Sequence, residues 1–222
     1  MRSTDRMKVD MHIHTIYSGD SICRPAGVIE MARRKGLDGV AVTDHNTIGG
    51  WKEMLKEGKR GGIAIILGEE VVVEQEGKVI GEVLGFFLNE EIKRGSMEEV
   101  LDEIASQGGL AALPHPFDFW RGIRIDTKDV IGKLQAVEVF NSGVYLNSQN
   151  RRALELAKKY KLAEIGGSDA HTEWEVGNAY TYAEAKGVKK FREAIVRRKT
   201  KAEGKLTSHV LRVIAKALNL GV

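Results

Sequence analysis

Short apolar runs alternate with amphipathic stretches along most of the chain. Seven of these runs have the composition of buried strands, and they cover residues 7–13, 38–43, 63–67, 110–113, 136–140, 162–166 and 179–183. The stretches between them carry helical spacing and helix-end signals, which predict helices over residues 25–35, 47–59, 96–107, 147–160 and 188–198 and a helical turn over 126–132. Buried strands that alternate with helices predict a parallel sheet covered by helices.

Three details modify this pattern. Residues 71–88 contain two β-rich pieces around a turn at 76–77, which predicts a hairpin extending the third strand. Ser96, followed three residues later by Glu99, predicts a capping box at the start of its helix. Apolar residues recur at helical spacing over 205–220, so we expect an additional C-terminal helix there.

Seven strand–helix units in one chain fit a closed TIM-like barrel better than two open sheets, and we expect residues 1–222 to form a single domain. The functional residues of such barrels come from the C-terminal ends of the strands. Polar side chains occur at that end of six successive strands, namely His12 and His14, Asp44 and His45, Glu70, His115, Asn141, and Asp169 and His171. We therefore expect these side chains to converge at one rim.

The side chains expected at this rim are suited to binding metal ions. Alternation along the first strand places Asp10, His12 and His14 on the same face. Imidazoles and carboxylates without thiolates suit Zn²⁺, Mn²⁺ or Fe²⁺. Eight candidate ligands are present: His12, His14, Asp20, His45, Glu70, His115, Asp169 and His171.

The number of candidate ligands exceeds what one ion can use, so we expect two or three divalent ions with Glu70 or Asp169 as a bridging carboxylate. Such a group supplies metal-activated hydroxide near neutral pH and stabilises charge on the attacking and leaving oxygens. This is the chemistry of phosphoester hydrolysis.

Composition narrows the class of protein without identifying a partner. Hydrophobic residues make up 42% of the chain and charged residues 29%, as in ordinary globular proteins. The net charge of +3 permits an anionic substrate, but 31 acidic residues lie among the 34 basic ones, so charge alone does not indicate a nucleic-acid binder. Cys23 is the single cysteine, which excludes an intrachain disulfide. Without a secretory signal or a membrane-length apolar run, we expect a cytoplasmic protein with no membrane partner.

Five motifs in order resemble the PHP (polymerase and histidinol phosphatase) family of metal-dependent phosphoesterases. They are Asp-Met-His-Ile-His-Thr at 10–15, Thr-Asp-His-Asn at 43–46, Gly-Glu-Glu at 68–70, Pro-His-Pro at 114–116 and Gly-Ser-Asp-Ala-His at 167–171. The resemblance covers roughly residues 8–200. It implies a distorted (β/α)7 barrel, in agreement with the seven predicted strands.

The resemblance also implies an arrangement of ligands. It places His12 and His14 on one ion together with Glu70 and Asp169. In the same pattern Glu70, rather than Glu69, bridges to a second ion held by His115. The remaining candidates hold a third ion or complete the pair; they are Asp20, His45 and His171. Many members with three ions have a histidine or cysteine near the end of the fifth strand. This chain has Asn141 there and Glu138 three residues earlier. Both two and three bound ions therefore remain open.

Other residues near the expected rim have two interpretations. Asp10 and Asp44 are expected to orient neighbouring groups rather than bind metal, and Glu138 either orients a ligand or contacts substrate. Arg121 and Arg124 either clamp a phosphate or lie on the surface. The remaining residues of this kind are Phe119 and Trp120, which stack on a base or simply pack, and Cys23 and His209, which are expected to be structural.

The expected activity is hydrolysis of a phosphoester in a small phosphorylated metabolite or nucleotide. Asp169, His171 and Arg121 are the expected catalytic residues, with the arginine neutralising the phosphoryl oxygens and Asp169 or water protonating the leaving alcohol. Nucleic acid is a possible partner but is not favoured. The alternatives are an RNA-binding barrel of a ribonucleoprotein, a nuclease acting on oligonucleotide ends, and metal-dependent C–N bond hydrolysis.

Overall fold

The computed structural model describes residues 6–126, 128 and 130–208, and the strands among them form one sheet. The strands are β1 (Arg6–Ile13), β2 (Gly39–Val42), β3 (Ala64–Gln75), β4 (Lys78–Phe86), β5 (Leu110–Leu113), β6 (Ala136–Asn141), β7 (Ala163–Gly167), β8 (Ala179–Glu184) and β9 (Lys201–Gly204). The helices are α1 (Pro25–Arg34), α2 (Trp51–Gly61), α3 (Met97–Ser106), α4 (Asn147–Tyr160) and α5 (Gly187–Val196). The predicted strand–helix alternation is therefore confirmed over the described residues.

The sheet has the strand order β7-β6-β5-β4-β3-β2-β1-β8-β9 and is mixed rather than parallel. β1, β2 and β3 run parallel to one another, as do β5, β6 and β7. The predicted hairpin is confirmed, and its second strand, β4, lies antiparallel between β3 and β5. The expectation of an entirely parallel sheet is wrong at two more strands, because β8 pairs antiparallel with β1 and β9 pairs antiparallel with β8.

The sheet curves into a nearly closed, distorted barrel, which confirms the predicted fold class. β8 covers only the first half of β1, where Val9 pairs with Thr181. Beyond that point the chain following β7 lies alongside β1. There Ala170 pairs with Ile13 in a parallel bridge, and the His14 amide donates to the Ala170 carbonyl at 3.0 Å.

Two apolar layers surround the sheet. The inner cluster fills the barrel with side chains such as Met11, Ile66 and Phe86, and α5 adds Phe191 and Ile195 to it. The outer cluster lies between the sheet and helices α1 to α4. Because α5 joins the inner cluster together with residues at the starts of several strands, it covers the N-terminal end of the barrel and leaves the opposite rim for polar side chains.

Several element boundaries differ from the predictions. Helix α2 begins at Trp51 rather than residue 47, and its N-cap is Gly50, where a Cβ would lie 2.4 Å from Asp44 Oδ2. Within the predicted turn at 126–132, a 3-10 turn covers Ile131–Lys133. β9 was not predicted, because Lys-Ala-Glu-Gly has no apolar alternation.

The proposed C-terminal helix falls mostly outside the described residues, and so does His209. Its first residues, 205–208, are not helical. Within the described ranges, every helix is too short or too polar to cross a lipid bilayer.

Candidate metal centre

The histidines predicted to converge do so at the C-terminal rim of the barrel. The ring centroid of His14 lies 4.3 Å from that of His45, 4.4 Å from that of His171 and 5.0 Å from that of His12. The His115 ring stacks on His12 with a centroid distance of 5.7 Å. These five residues come from four strand ends, those of β1, β2, β5 and β7, so the barrel geometry brings them together, as the sequence pattern predicts.

Four potential ligand atoms lie close together at the centre of the rim. His12 Nε2 and His14 Nε2 lie 3.0 Å apart. Glu70 Oε2 lies 3.2 Å from the first of these nitrogens and 3.3 Å from the second, and Asp169 Oδ1 lies 3.7 Å and 3.3 Å from the same two atoms. A tetrahedral ion with bonds of about 2.0–2.2 Å separates its ligands by roughly 3.3–3.6 Å. His12, His14 and Asp169 can therefore share one ion, and Glu70 Oε2 approaches the same two imidazole nitrogens.

Glu70 extends this group towards a second set of ligand atoms. Its other oxygen, Oε1, lies 3.2 Å from His115 Nε2, which in turn lies 3.6 Å from Glu82 Oε2. Glu70 Oε2 also lies 3.2 Å from His45 Nδ1. One buried carboxylate thus faces four imidazoles through two oxygens, an arrangement suited to a bridging ligand.

A third group lies at the outer edge of the rim. Asp20 Oδ2 lies 3.4 Å from His45 Nε2 and 3.3 Å from His171 Nε2. The side chain of Asp20 is 51% exposed, whereas His12 and His14 are fully buried. An ion at this outer position would be more accessible to solvent than one held by the inner group.

Hydrogen bonds to the second ring nitrogen hold several imidazoles in place. Glu138 Oε1 lies 3.0 Å from His12 Nδ1, which leaves Nε2 as the ligand atom. Ser18 Oγ lies 3.1 Å from His14 Nδ1 and donates to Asp44 Oδ1 at 3.1 Å. Contacts of this kind select the ring orientation and raise the basicity of the ligand nitrogen. These contacts fit the orienting alternative for Glu138 and the orienting role expected of Asp44.

The two carboxylate oxygens of Asp169 have different surroundings. Oδ2 accepts from Arg121 Nη1 at 2.5 Å and from Asn141 Nδ2 at 3.2 Å, whereas buried Oδ1 has no hydrogen-bond partner. Although burial disfavours its charge, the neighbouring Arg121 guanidinium and His12 hold the pKa of Asp169 well below its usual range. Asp169 is consequently an ionised carboxylate with one oxygen directed at His12 and His14.

Glu82, near the middle of β4, belongs to this cluster and was missed in the sequence. Its partner in the β3–β4 hairpin is Val72, and the Glu70–Leu84 pair follows two residues along the ladder. Its carboxylate is largely buried, and the Oε2 atom has no hydrogen-bond partner. Burial and the charge of Glu70 raise the pKa of Glu82 to about 7. The available signal was a lone acidic residue inside the apolar run 79–88.

Burial and neighbouring charges shift the pKa values of two histidines in the cluster. Burial and the positive charge of His45 and His171 lower the pKa of His14 to about 3. Burial also opposes protonation of His12, but Glu70 and the neighbouring carboxylates overcome it and raise that pKa well above the usual range.

Unpaired buried atoms in this cluster fit a bound cation. Five of its buried atoms have no hydrogen-bond partner among the described residues: His45 Nδ1, Glu70 Oε2, Glu82 Oε2, His115 Nδ1 and Asp169 Oδ1. Buried polar atoms are rarely left without a partner. Divalent cations satisfy such a set, because its donors are imidazole nitrogens and carboxylate oxygens only.

Backbone strain accompanies the ligands. His115 and Asp169 have φ angles of 24° and 54°, values that residues other than glycine seldom adopt. Gly167 lies directly against β1, where a Cβ would stand 2.3 Å from His12 Cβ and 2.6 Å from the His12 amide nitrogen. Glycine at this position allows the chain after β7 to approach the first strand closely.

Two residues near the rim have structural roles. Asp10 was expected to orient an imidazole, but it instead accepts hydrogen bonds from the amides of His12, Ser168 and Gly177 and from the Ser168 hydroxyl. Asp10 therefore fastens the segment after β7 to β1. Cys23 is buried, as expected, and its burial raises the pKa of the thiol.

Comparison with known proteins supports the chemistry of this centre. The family profile described as PHP-associated (PHP_C) matches residues 147–200. The uncharacterized protein MJ1587 of Methanocaldococcus jannaschii is 41% identical over 150 residues, which cover 61% of this chain and 82% of the relative. A probable phosphatase of Caldicellulosiruptor bescii is 24% identical over 203 residues, covering 77% of this chain and 82% of its own.

Solved structures share the fold at low sequence identity. A two-domain Bacteroides vulgatus protein containing a predicted PHP-like metal-dependent phosphoesterase has a TM-score of 0.76 and 20% identity, over 96% of this chain and 70% of that one. A lesion-specific endonuclease from Pyrococcus furiosus has a TM-score of 0.69 and 20% identity, over 86% of this chain and 56% of that one.

Proposed function

Because the chain belongs to the PHP family of metal-dependent phosphoesterases, we propose that it hydrolyses the phosphoester of a small phosphorylated metabolite or nucleotide. The observation that carries this proposal is that Glu70 Oε2 and Asp169 Oδ1 each lie 3.2–3.7 Å from both His12 Nε2 and His14 Nε2, which are 3.0 Å apart. An RNA-binding scaffold would have no need for buried ligand atoms that face one another without partners.

The ligand groups assign residues to two or three divalent ions. The inner group comprises His12, His14, Glu70 and Asp169. Glu70 would also take part in a second group with His115 and Glu82, and Asp20, His45 and His171 would form the outer group. When bound, divalent ions supply activated water and neutralise charge on the phosphoryl oxygens.

Protein side chains complete the proposed mechanism. Arg121 is one-third exposed and reaches into the cluster, so its guanidinium can donate to a phosphoryl oxygen beside Asp169. Arg121 and Asn141 donate to Asp169 Oδ2, its Oδ1 faces His12 and His14, and the Arg121 guanidinium helps to hold the pKa of this carboxylate well below its usual range. We therefore assign protonation of the leaving alcohol to water, and Asp169 to the ligand set. His171 donates its Nδ1–H to the Asp169 carbonyl, which directs Nε2 towards Asp20.

Metal analysis joined to a phosphatase screen tests this proposal. The purified protein should contain at least one divalent ion per chain and release phosphate from nucleotides, sugar phosphates or short RNA. Chelator should abolish turnover, and Mn²⁺ or Zn²⁺ should restore it. His14→Ala should remove activity while leaving the circular dichroism spectrum unchanged, since rim residues serve function more than folding. Phosphate release that survives both chelation and this substitution would overturn the proposal.

A further inference from the structure

Three aromatic side chains are exposed together beside the metal centre. Trp120 is 63% exposed, Phe119 60% and Tyr145 42%. The Trp120 ring contacts Tyr145 at a centroid distance of 4.9 Å and meets Phe119 edge-on at 5.9 Å. Large aromatic groups are usually buried, and a contiguous exposed patch of them marks a binding surface.

An open pocket joins this patch to the metal centre. It has a volume of about 160 Å³ and is lined by Val79, Gly81, Glu82, Trp120, Arg121, Gly122 and Arg124. Glu82 and Arg121 also belong to the cluster of ligands and ion pairs. A substrate whose phosphoryl group lies at the metals can therefore extend its leaving group along this pocket to the indole of Trp120.

The loop that carries Trp120 is held rigidly. Asp118 Oδ1 accepts hydrogen bonds from the amides of Trp120 and Arg121 at 2.9 and 3.2 Å, and the Arg124 amide donates to the Ile80 carbonyl at 2.8 Å. Gly81 has a φ of 145°, and a Cβ there would lie 2.8 Å from Ile123 Cδ1. The loop backbone thus packs closely on the β3–β4 hairpin, which fixes the position from which the indole projects.

Two arginines line the same pocket as Trp120. Arg121 Nη1 donates to Asp169 in the metal centre, and Arg124 Nη2 donates to the Trp120 carbonyl at 3.1 Å. A pocket that offers an aromatic face and two guanidinium groups complements a planar base attached to phosphates, because the base can stack while the arginines face the anionic groups.

We infer that Trp120, supported by Tyr145, stacks on the base of a nucleotide substrate whose phosphoester lies at the metal centre. This inference rests on the proposed phosphoesterase function and narrows its substrate to nucleotidyl compounds. A free nucleotide and the end of a single-stranded oligonucleotide present the same chemistry at this site. Trp120 acts here on specificity rather than on the chemical step.

Matched substrates with and without a base test the inference. Adenosine 5′-monophosphate and ribose 5-phosphate carry the same phosphoester, but only the first has a base that can stack on Trp120. Trp120→Ala should lower kcat/KM for the nucleotide by at least about fivefold, since base stacking on an aromatic side chain has at least this effect, and should leave the sugar phosphate unchanged. Trp120→Phe should retain most of the preference. Trp174→Ala is the control, because Trp174 is a similarly exposed tryptophan at 53%.

Measuring the Kd of a nucleotide tests the inference even if the nucleotide is not hydrolysed. In equilibrium dialysis with the metal-loaded protein, Trp120→Ala should raise the Kd of adenosine monophosphate by at least about fivefold, whereas Trp174→Ala should not change it. If neither compound is hydrolysed, the proposed function fails for these substrates while dialysis still decides the role of Trp120. Equal losses for both substrates, or unchanged binding in Trp120→Ala, would overturn the inference.

Two further experiments distinguish a free nucleotide from an oligonucleotide end, and nucleotide binding from self-association. A larger effect of Trp120→Ala on a short 5′-phosphorylated oligonucleotide than on the mononucleotide would support an oligonucleotide end, and the reverse would support a free nucleotide. Sedimentation addresses a second copy of the chain on this surface. A dimer that dissociates in Trp120→Ala, with nucleotide binding unchanged, would assign the patch to self-association and overturn the inference.

Discussion

Arg121 Nη1 donates to Asp169 Oδ2 at 2.5 Å, so Asp169 offers only its other oxygen to His12 and His14. The ion pair thereby couples a residue of the loop after β5 to a ligand after β7. Arg121 is also exposed enough to meet a substrate, so the same side chain positions a ligand and lies beside the reacting phosphoryl group.

Arg121→Ala is expected to reduce turnover with little loss of metal. Asn141 still holds Asp169 Oδ2, so the ligand set remains, but the phosphoryl group loses a charged donor. We expect kcat/KM to fall by about a hundredfold, with kinetics and metal content measured on the same preparation. Arg94→Ala, which removes a surface arginine paired with Glu74, is the matched control. An unchanged rate in Arg121→Ala would place the arginine outside the reaction.

Glu138→Gln is expected to weaken metal binding without removing a ligand. Glu138 contacts His12 Nδ1 through one oxygen and accepts from the His115 amide and the Asn141 side chain through the other. Loss of such an orienting carboxylate lowers metal affinity by roughly ten- to a hundredfold. A metal titration monitored by a competing chelator measures this change, and the exposed Glu155→Gln serves as control. An affinity equal to that of the wild type would remove Glu138 from the metal centre.

Glu82→Gln is expected to change the number of ions bound. Glu82 faces His45 and His115, so its loss should weaken the group around Glu70 and His115 and spare the inner group. Elemental analysis of dialysed protein should then show a lower metal-to-protein ratio than the wild type. Glu74→Gln, a change at a partly exposed position on β3 that is paired with Arg94, should leave the ratio unaltered. If both variants bind equally, Glu82 is a pocket residue rather than a ligand.

Gly167→Ala is expected to destabilise the protein strongly. The new methyl group would overlap His12 in the strand that carries two ligands, and relief requires β1 or the chain after β7 to move. Overpacking of this kind costs about 1–3 kcal/mol or more, and thermal unfolding should show a lower Tm. Gly132→Ala meets no atom within 4 Å and provides the comparison. Similar Tm values for the two variants would argue against the close approach.

The positions of the histidines follow from the sequence because strand ends of a barrel share one rim. His12, His45 and His115 each terminate or follow an apolar run, so their convergence needs only the strand assignments. Glu82 does not follow from this rule. It lies near the middle of an antiparallel strand, and it reaches the rim only because β3 continues far beyond Glu70 before the chain turns back.

The sequence pattern also could not predict the direction of every strand or the contacts that close the barrel. β8 has the alternation of a strand, but nothing in its residues distinguishes antiparallel pairing with β1 from parallel pairing. The role of Asp10 was obscured because it shares a face with His12 and His14, which suggested a partner for imidazole. Its actual partners, at Ser168 and Gly177, lie more than 150 residues away along the chain.

The junction between β1 and the segment 168–171 has a consequence for thermal stability. His12 and His14 lie on the β1 side of this junction and Asp169 lies on the other side. A cation bound by all three would therefore cross-link remote parts of the polypeptide. Binding to the folded state alone stabilises it by mass action. Melting curves should therefore shift upward with added metal and downward with chelator, and heat resistance should depend on the same ions as turnover.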